Sequence, residues 1–460
     1  MLLKDLVEVN KKGNVANAVN FGMMDEPETN QDLCDSFIFN YDPKKPELST
    51  VGILDRLKES YHSRNEPNIH MMIQQYGKGK SHFAVVLANF FGKPANSSEV
   101  KGILDQVDKA TSGTSKVVAE KIKSYKQRQQ KPHLVLCLSG DQGGNIRKQF
   151  LTVVVNELEA AGVDSAIANH ICREPLNYLE RLNPENKAKA NVYLESLGNP
   201  DGDVNSLIKQ LQKNNPGVIR AVKDICRHVS NVTPDFQDDI NVEAILRDLL
   251  DNLCSGENAL FSGILILFDE MNYYLQSWAA DQIGAGGTAL QNITNICELY
   301  KGKIALLCFT QIHPSAFSRI SPSVRESYLK ISSRLAPAQS TYDGPASSLE
   351  LVIDNMLDQK EETPLWQDFL RRWDDTLLSS ARQAFEKHIT TYKQRGWTLE
   401  YFYNHLSKGC FPMHPITAYL LCNLDFTQDR TAIQFIKGYV SQFIEDKSIE
   451  EGEQLNYIYP

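Results

Sequence analysis

The sequence predicts an α/β fold in which a parallel β-sheet is covered by helices on both faces. Short apolar runs, suited to buried strands, alternate with stretches of helical period. The first such run, residues 69–73, leads into a glycine loop and then into an apolar helix. A later run, residues 264–268, ends in two adjacent acids, Asp269 and Glu270. This combination is typical of a P-loop nucleotide-binding fold.

The bulk composition is that of an ordinary globular protein with two or three domains. Of the 460 residues, 42% are hydrophobic and 23% are charged, and the net charge is −9. That acidic balance argues against a surface that coats nucleic acid throughout. The nine cysteines are never spaced C-x-x-C, and no apolar run reaches the length of a membrane span. The first 14 residues also lack the apolar core of a secretory signal, so we expect a cytoplasmic protein without a membrane segment.

Three regions are predicted along the chain. Residues 1–65 are a mixed N-terminal segment, and residues 66–335 are the P-loop core, with further strands at 134–138 and within 302–311. Residues from about 166 to 255 are expected to form a helical insertion in this core. No apolar run suited to a buried strand follows Leu335, so residues 336–460 are predicted to be a helical lid.

The glycine loop has the residue types that phosphate binding requires. Its candidate binding residues are Gln75, Tyr76, Gly77, Lys78, Gly79, Lys80, Ser81 and His82. The glycines let backbone N–H groups approach phosphate oxygens at a helix N-terminus. Lys80 supplies a charge to the β- and γ-phosphates, and Ser81 a hydroxyl to Mg²⁺. Gln74 stands where the first glycine of the motif belongs, at the position farthest in sequence from Lys80.

Two strand ends are predicted to complete a catalytic site. Asp269 is the second expected Mg²⁺ ligand, and Glu270 is placed to polarise the attacking water. The alternative is a pair of exposed acids that cap the next helix. Thr310 and Gln311 end the following apolar run, where they could sense the γ-phosphate or simply cap a helix.

Arginines downstream offer a further catalytic group. We favour Arg334 as an arginine finger that acts on the site of a neighbouring subunit, with Arg325 next and Arg319 also available. The alternative is that all three are ordinary surface residues.

Three other stretches carry weaker expectations. Residues 115–131 form a basic strip, interpreted as a solvated helix face rather than a nucleic-acid site. Residues 284–288, GAGGT, are predicted to be a flexible loop between two helices, which could face a polymer. Residues 139–145 are interpreted as a β–α turn close to the nucleotide site.

Several of these motifs occur together in one known group. They are QQYGKGKSHF, ILILFDEMNYYL, LLCFTQIHPSAF, ISSRL and FPMHPITAYLL. Over about residues 68–424 the chain resembles the AAA+-like P-loop ATPases of bacterial antiphage systems, such as the BREX-system P-loop protein and the phage growth limitation ATPase. The resemblance implies an ASCE-type ATPase that uses ATP and Mg²⁺. It also implies a homo-oligomer that works beside other subunits of a defence complex, often on DNA.

The chain departs from the pattern of this group at two motifs. Gln74 replaces the first loop glycine, and Leu335 replaces the phenylalanine that usually follows the arginine, which weakens the assignment of Arg334. The group's His-Pro lid motif corresponds to His414 and Pro415. Members are usually much longer, which leaves a compact or a C-terminally truncated member as the alternatives.

The function expected from the sequence is therefore MgATP hydrolysis coupled to movement of the lid. A nucleotide-gated scaffold that assembles defence partners with negligible turnover is the main alternative. A P-loop kinase is disfavoured by the adjacent Asp-Glu pair and by the lack of acceptor-type lid arginines.

Overall fold

The structure is a computed structural model that describes most of the chain. Outside the described part lie residues 1, 10–18, 75–78, 113–115, 142–144, 164–166, 197–202, 213–217, 231–240, 317–321, 344–348, 388–391, 393–396 and 424–429. Within the described residues, no helix combines the length and the apolar character needed to cross a membrane.

A five-stranded, entirely parallel sheet forms the centre of the protein. In chain order the described strands are β1 (Val7–Val9), β2 (Ile69–Ile73), β3 (Leu134–Ser139), β4 (Ile264–Asp269), β5 (Ile304–Thr310), β6 (Thr341–Asp343), β7 (Leu357–Gln359), β8 (Glu450–Glu451) and β9 (Gln454–Leu455). The spatial order in the central sheet is β3-β4-β5-β2-β6. Because all five strands run in one direction, their carboxyl ends meet at one edge. The predicted parallel α/β fold is confirmed at this level.

Helices cover both faces of this sheet. Up to residue 387 the described helices are α1 (Pro27–Ser36), α2 (Thr50–Glu59), α3 (Lys80–Gly92), α4 (Ser98–Thr111), α5 (Lys116–Arg128), α6 (Ile146–Ala160), α7 (Ile167–Glu180), α8 (Pro184–Ser196), α9 (Val204–Gln212), α10 (Ile219–Ser230), α11 (Val242–Asp248), α12 (Met271–Ala280), α13 (Ala289–Leu299), α14 (Pro322–Leu335), α15 (Leu349–Met356) and α16 (Pro364–Lys387). Alternate strand residues point to opposite faces, so β4 buries Ile266 on one side and Leu267 on the other. Helices α1 to α5 pack on the Leu267 side, and α6 and α11 to α14 pack on the Ile266 side.

The insertion between α6 and α11 has an apolar core of its own. Helices α7 to α10 bury a cluster that includes Leu179, Leu194, Leu207 and Ile225. The helical character predicted for residues 166–255 is confirmed for the described part of that range. After α11 a π-helical turn at Leu249–Leu253 ends the helical stretch. Because the insertion has its own buried cluster, it forms a distinct packing unit beside the sheet.

Four short strands of the described chain, β6 to β9, follow Leu335, where none was predicted. Strand β6 pairs in parallel with β2 and extends the sheet to Asp343. Only Tyr342 of its three residues is buried, and its hydroxyl hydrogen-bonds His70 Nδ1 of β2 at 2.8 Å. A three-residue edge strand with polar ends has no apolar run, so strand periodicity could not detect it.

The C-terminal region is mainly helical and includes the start of the chain. After α16 its described helices are Leu399–Phe402, Tyr403–Lys408, Pro415–Asn423, Arg430–Phe435, Ile436–Val440 and Ser441–Asp446. Strand β1 pairs antiparallel with β7, and Leu3 and Leu6 are buried among the aromatic residues of this region. The N-terminal segment is therefore divided, because α1 and α2 pack on the sheet while residues 2–9 pack with the C-terminal helices.

The basic strip forms α5, but its interpretation as a solvated face is wrong for Lys126. This side chain is 1% exposed and lies in line with Val118 and Ile122, which are also buried. Spacing of four residues places all three on the face that packs against the core. Lys126 is therefore a buried lysine, and burial lowers its pKa to about 7.

Candidate functional site

Helix α3 begins at the carboxyl-terminal edge of the sheet, directly after the loop that follows β2. Residues 75–78, and with them Gln75, Tyr76, Gly77 and Lys78, lie outside the described residues. Gly79 is the N-cap and has φ 86° and ψ 13°, the left-handed conformation that glycine adopts without strain. Lys80 and Ser81 form the first turn of α3. This terminus therefore presents a lysine, a hydroxyl and backbone N–H groups at the strand edge.

Lys80 is buried close to the acidic pair. Its side chain is 4% exposed, and burial lowers its pKa, an effect that the nearby carboxylates of Glu270 and Asp269 oppose. A buried ammonium group beside two carboxylates can bind a phosphate chain, because phosphate oxygens can replace the carboxylates as its partners.

Ser81 and Asp269 contact each other although they are far apart in the sequence. The Ser81 hydroxyl lies close enough to the Asp269 carboxyl to lower its pKa by hydrogen bonding, and Asp269 Oδ1 accepts a 2.9 Å bond from the backbone N–H of Glu270. Asp269 is 5% exposed, and burial raises the pKa of its carboxyl. One hydroxyl and one buried carboxylate side by side are ligands that Mg²⁺ accepts together with phosphate oxygens and water. The two predicted metal ligands thus fit the ion.

Glu270 has the most unusual backbone conformation of the site. It has φ 50° and ψ 38°, and it is the one non-glycine residue of the described chain with positive φ. Such strain costs on the order of 1 kcal/mol and persists where the surrounding structure imposes it. Burial, and then the charge of Asp269, raises the pKa of its carboxyl, and Oε2 accepts a 3.2 Å hydrogen bond from Gln311 Nε2. The hydrogen bond from Gln311 thus holds the half-buried Glu270 carboxylate at the edge of the site.

The other two strand ends meet at the same edge. The backbone N–H of Gln74 donates to the carbonyl of Thr310 at 3.0 Å, which continues the β2–β5 pairing past Ile73. The Thr310 side chain is fully buried and donates to the carbonyl of Ile312 at 3.0 Å, so only Gln311 of the predicted sensor pair reaches the acids. The strand pairing thus extends to residue 74, the position where the motif has a glycine.

A third carboxylate was not predicted from the sequence. Asp141 follows β3 and lies near enough to Asp269 and Glu270 to raise the pKa of both. The turn at residues 139–145 was expected to lie close to the nucleotide site, and within its described part Asp141 lies beside the predicted site residues Asp269 and Glu270. Asp141 could have been predicted as a site residue, because the carboxyl ends of parallel strands meet at one edge and Ser139 pairs with Asp269 in the sheet.

Gly140 is where the β3 turn approaches Glu270 most closely. A Cβ atom added to Gly140 would lie 2.2 Å from the carbonyl oxygen of Glu270 and 3.0 Å from the backbone nitrogen of Tyr274. Both contacts are to backbone, which cannot rotate away as a side chain can.

We expect Gly140→Ala to destabilise the protein by about 1–3 kcal/mol, as overpacking does. It should also impair any activity that depends on Glu270, because the clash displaces that backbone. Urea unfolding and phosphate release from MgATP measure the two effects. Gly438→Ala is the control, since a Cβ there has nothing within 4 Å. Equal behaviour of the two variants would contradict the expectation.

Three residues that the sequence singled out lie in other surroundings. His82 is buried, its Nε2 lies 2.7 Å from the carbonyl of Leu33, and burial lowers its pKa to about 4. Arg334 donates from α14 to Asn295 Oδ1 on α13 at 2.7 Å. His414 stacks on Tyr459 in the C-terminal region. Their contacts are those of packing residues, and Arg319 lies outside the described residues.

The glycine-rich loop at 284–288 connects α12 and α13, as predicted. Its backbone is bonded on two sides, because Ala285 O accepts from Ile146 N at 3.2 Å and Gly287 O from Trp278 Nε1 at 2.9 Å. Gly286 and Gly287 both have positive φ. The loop thereby fixes the first turn of α6, which follows the Asp141 turn.

Comparisons with protein-family models, with curated proteins and with solved structures found no match for this chain.

Proposed function

We propose that this chain is a Mg²⁺-dependent P-loop ATPase of the ASCE type. The observation that carries the proposal is the contact between Ser81 and Asp269, with Lys80 and Glu270 beside it. Strand β5 lies between β2, which leads to the glycine loop, and β4, which ends in the acidic pair. Ser81 and Asp269 are far apart in the chain, so their proximity depends on the order of the strands rather than on local sequence.

Each residue has a definite task in this proposal. Lys80 and the N–H groups of α3 bind the β- and γ-phosphates, while Ser81 and Asp269 hold Mg²⁺. The ion, when bound, neutralises charge on the phosphate oxygens. Glu270 accepts the proton of the attacking water. Gln311 orients the Glu270 carboxylate and is placed to respond to the γ-phosphate.

The biological setting is proposed from the sequence resemblance. The group of AAA+-like ATPases that the motifs resemble acts in multi-protein antiphage systems, so we propose a homo-oligomer that couples hydrolysis to work on DNA beside other defence subunits. Arg334 would then act across a subunit boundary, which requires release of its bond to Asn295.

Phosphate release from MgATP, with and without duplex DNA, tests this proposal. Saturable release that Lys80→Ala abolishes is the expected result, and stimulation by DNA supports the DNA coupling. ATP binding without release, lost in Lys80→Ala, would contradict the ATPase and favour the nucleotide-gated scaffold. Absence of ATP binding in the parent chain would contradict both functions.

A further inference from the structure

A cavity of about 790 Å³ lies at the amino-terminal edge of the sheet. The hydroxyl of Tyr61, one of its lining residues, donates to the carbonyl of Ile264, the first residue of β4, at 2.9 Å. Two other lining residues, His133 and Ser262, come just before β3 and β4. A six-residue strand is about 20 Å long, so this cavity is separate from the acidic edge. Its volume is that of a small-molecule site.

Aromatic rings form much of the cavity wall. Tyr61 lies against His133 with ring centroids 4.2 Å apart, and His62 lies against Tyr125 at 5.2 Å. Gln129 Nε2 also lies 2.8 Å from His133 Nδ1. The rings are thus fixed in position by their neighbours and offer surfaces on which a planar group can stack.

Positively charged side chains of α5 line the cavity beside these aromatic rings. Val117, Lys121, Ser124 and Arg128 recur at helical spacing and line the cavity from one face of α5, and Lys116 precedes them. Within the described residues, none of the three cations forms an ion pair with a carboxylate, and Glu120 is the acid that accompanies them.

The other two charged residues that line the cavity, Lys58 and Glu59, are ion-paired. Lys58 Nζ lies 2.9 Å from Asp55 Oδ1 and also contacts Glu59. The lining charges that are not paired in this way therefore sum to a positive excess.

We propose that this cavity binds a nucleotide unit, with its base on the tyrosine rings and its phosphate on the cations of α5. The rings and the cations together favour a planar anion over either a simple anion or a neutral aromatic compound. The unit could be a free mononucleotide or the end of a single strand, since both present the same base and phosphate. The proposal does not depend on the ATPase function, because the cavity shares no residue with the acidic edge.

Calorimetric titration of the full chain at low salt tests this site. The probes are thymidine monophosphate and a 5′-phosphorylated thymidine pentanucleotide, each titrated into the parent chain and into Lys80→Ala. We expect saturable binding in both backgrounds. Lys121→Gln and Arg128→Gln should each weaken it by about fivefold, since an exposed ionic contact contributes up to about 1 kcal/mol. Tyr125→Leu should weaken it by about tenfold through lost stacking.

Gln127→Glu is the matched control, because it changes the charge of α5 by the same amount at an exposed position outside the cavity. Circular dichroism establishes that each variant is folded. Equal affinity for both probes would assign a mononucleotide site, and tighter binding of the pentanucleotide a strand end. The proposal is overturned if neither probe saturates at millimolar concentration, if Lys80→Ala abolishes binding, or if Gln127→Glu weakens binding as much as Lys121→Gln.

Discussion

Glu270→Gln is expected to lower MgATP turnover by about 10²–10⁴-fold, the range for removal of a general base. The amide keeps the size of the side chain and can still accept the hydrogen bond from Gln311, but it cannot take a proton from water. ATP affinity should stay within about threefold of the parent value, because the proposed phosphate ligands are unchanged. Phosphate release and equilibrium ATP binding, measured on the same preparations, give both quantities.

A matched control separates this effect from a general effect of charge. Glu298→Gln makes the same chemical change at an exposed position on α13 and should leave turnover unchanged. If Glu270→Gln turned over at the parent rate, Glu270 would not be the base. If it lost ATP binding as well, the half-buried carboxylate would be needed to hold the site together rather than for proton transfer.

Lys126→Met is expected to stabilise the folded protein. Lys126 is 1% exposed, its Nζ lies 2.9 Å from Gln129 Oε1 and 5.2 Å from the centre of the Phe90 ring, and burial lowers its pKa to about 7. The fall from the ordinary lysine pKa of 10.5 corresponds to on the order of 4 kcal/mol that the fold loses at and below neutral pH. Methionine has similar length without the charge. We expect the free energy of unfolding to rise by about 2 kcal/mol at pH 7. The gain is smaller than about 4 kcal/mol because the substitution also removes the bond to Gln129 and the contact with Phe90.

The pH dependence provides a second measure of the same effect. Between about pH 7 and 10 the unfolded chain binds a proton at this lysine that the folded chain does not, so stability of the parent should rise with pH in that window. Lys126→Met should remove this contribution, at most about 1.4 kcal/mol per pH unit. Urea unfolding at several pH values measures it.

Lys121→Met is the control for this prediction. It makes the same substitution at an exposed position of α5 and should change the unfolding free energy by less than about 0.5 kcal/mol. A parent chain whose stability does not rise above pH 7, or a destabilised Lys126→Met, would contradict the burial of a charge at this position.

The central strands could be predicted because each is a short apolar run bounded by polar residues. Strand β2 was predicted at its observed bounds, and β4 and β5 within a residue or two. Such runs are typical of strands whose two faces are both buried, and their short length distinguishes them from buried helices. Strand β6 could not be predicted in this way, because an edge strand of three residues is defined by its pairing partner rather than by its own sequence.

The residues of the acidic edge could be predicted for a similar reason. Asp269, Glu270 and Gln311 lie at or next to the ends of predicted strands, and Lys80 and Ser81 begin the helix that follows another. Parallel strands bring such ends together. Asp141 also follows a predicted strand and could have been predicted by the same rule. Gly140 could not, because its importance depends on its distance to the Glu270 backbone, which no local pattern encodes.

By itself, the sequence determined which segments become buried parallel strands and which polar residues stand at their carboxyl ends, because hydrophobic periodicity and strand direction are local properties. The tertiary structure decided the order β3-β4-β5-β2-β6, which places Ser81 against Asp269. It also decided the left-handed backbone of Glu270 and the burial of Lys126. These features arise from packing between segments that are distant in the chain. The interactions that produce them form only when those segments meet in the folded protein.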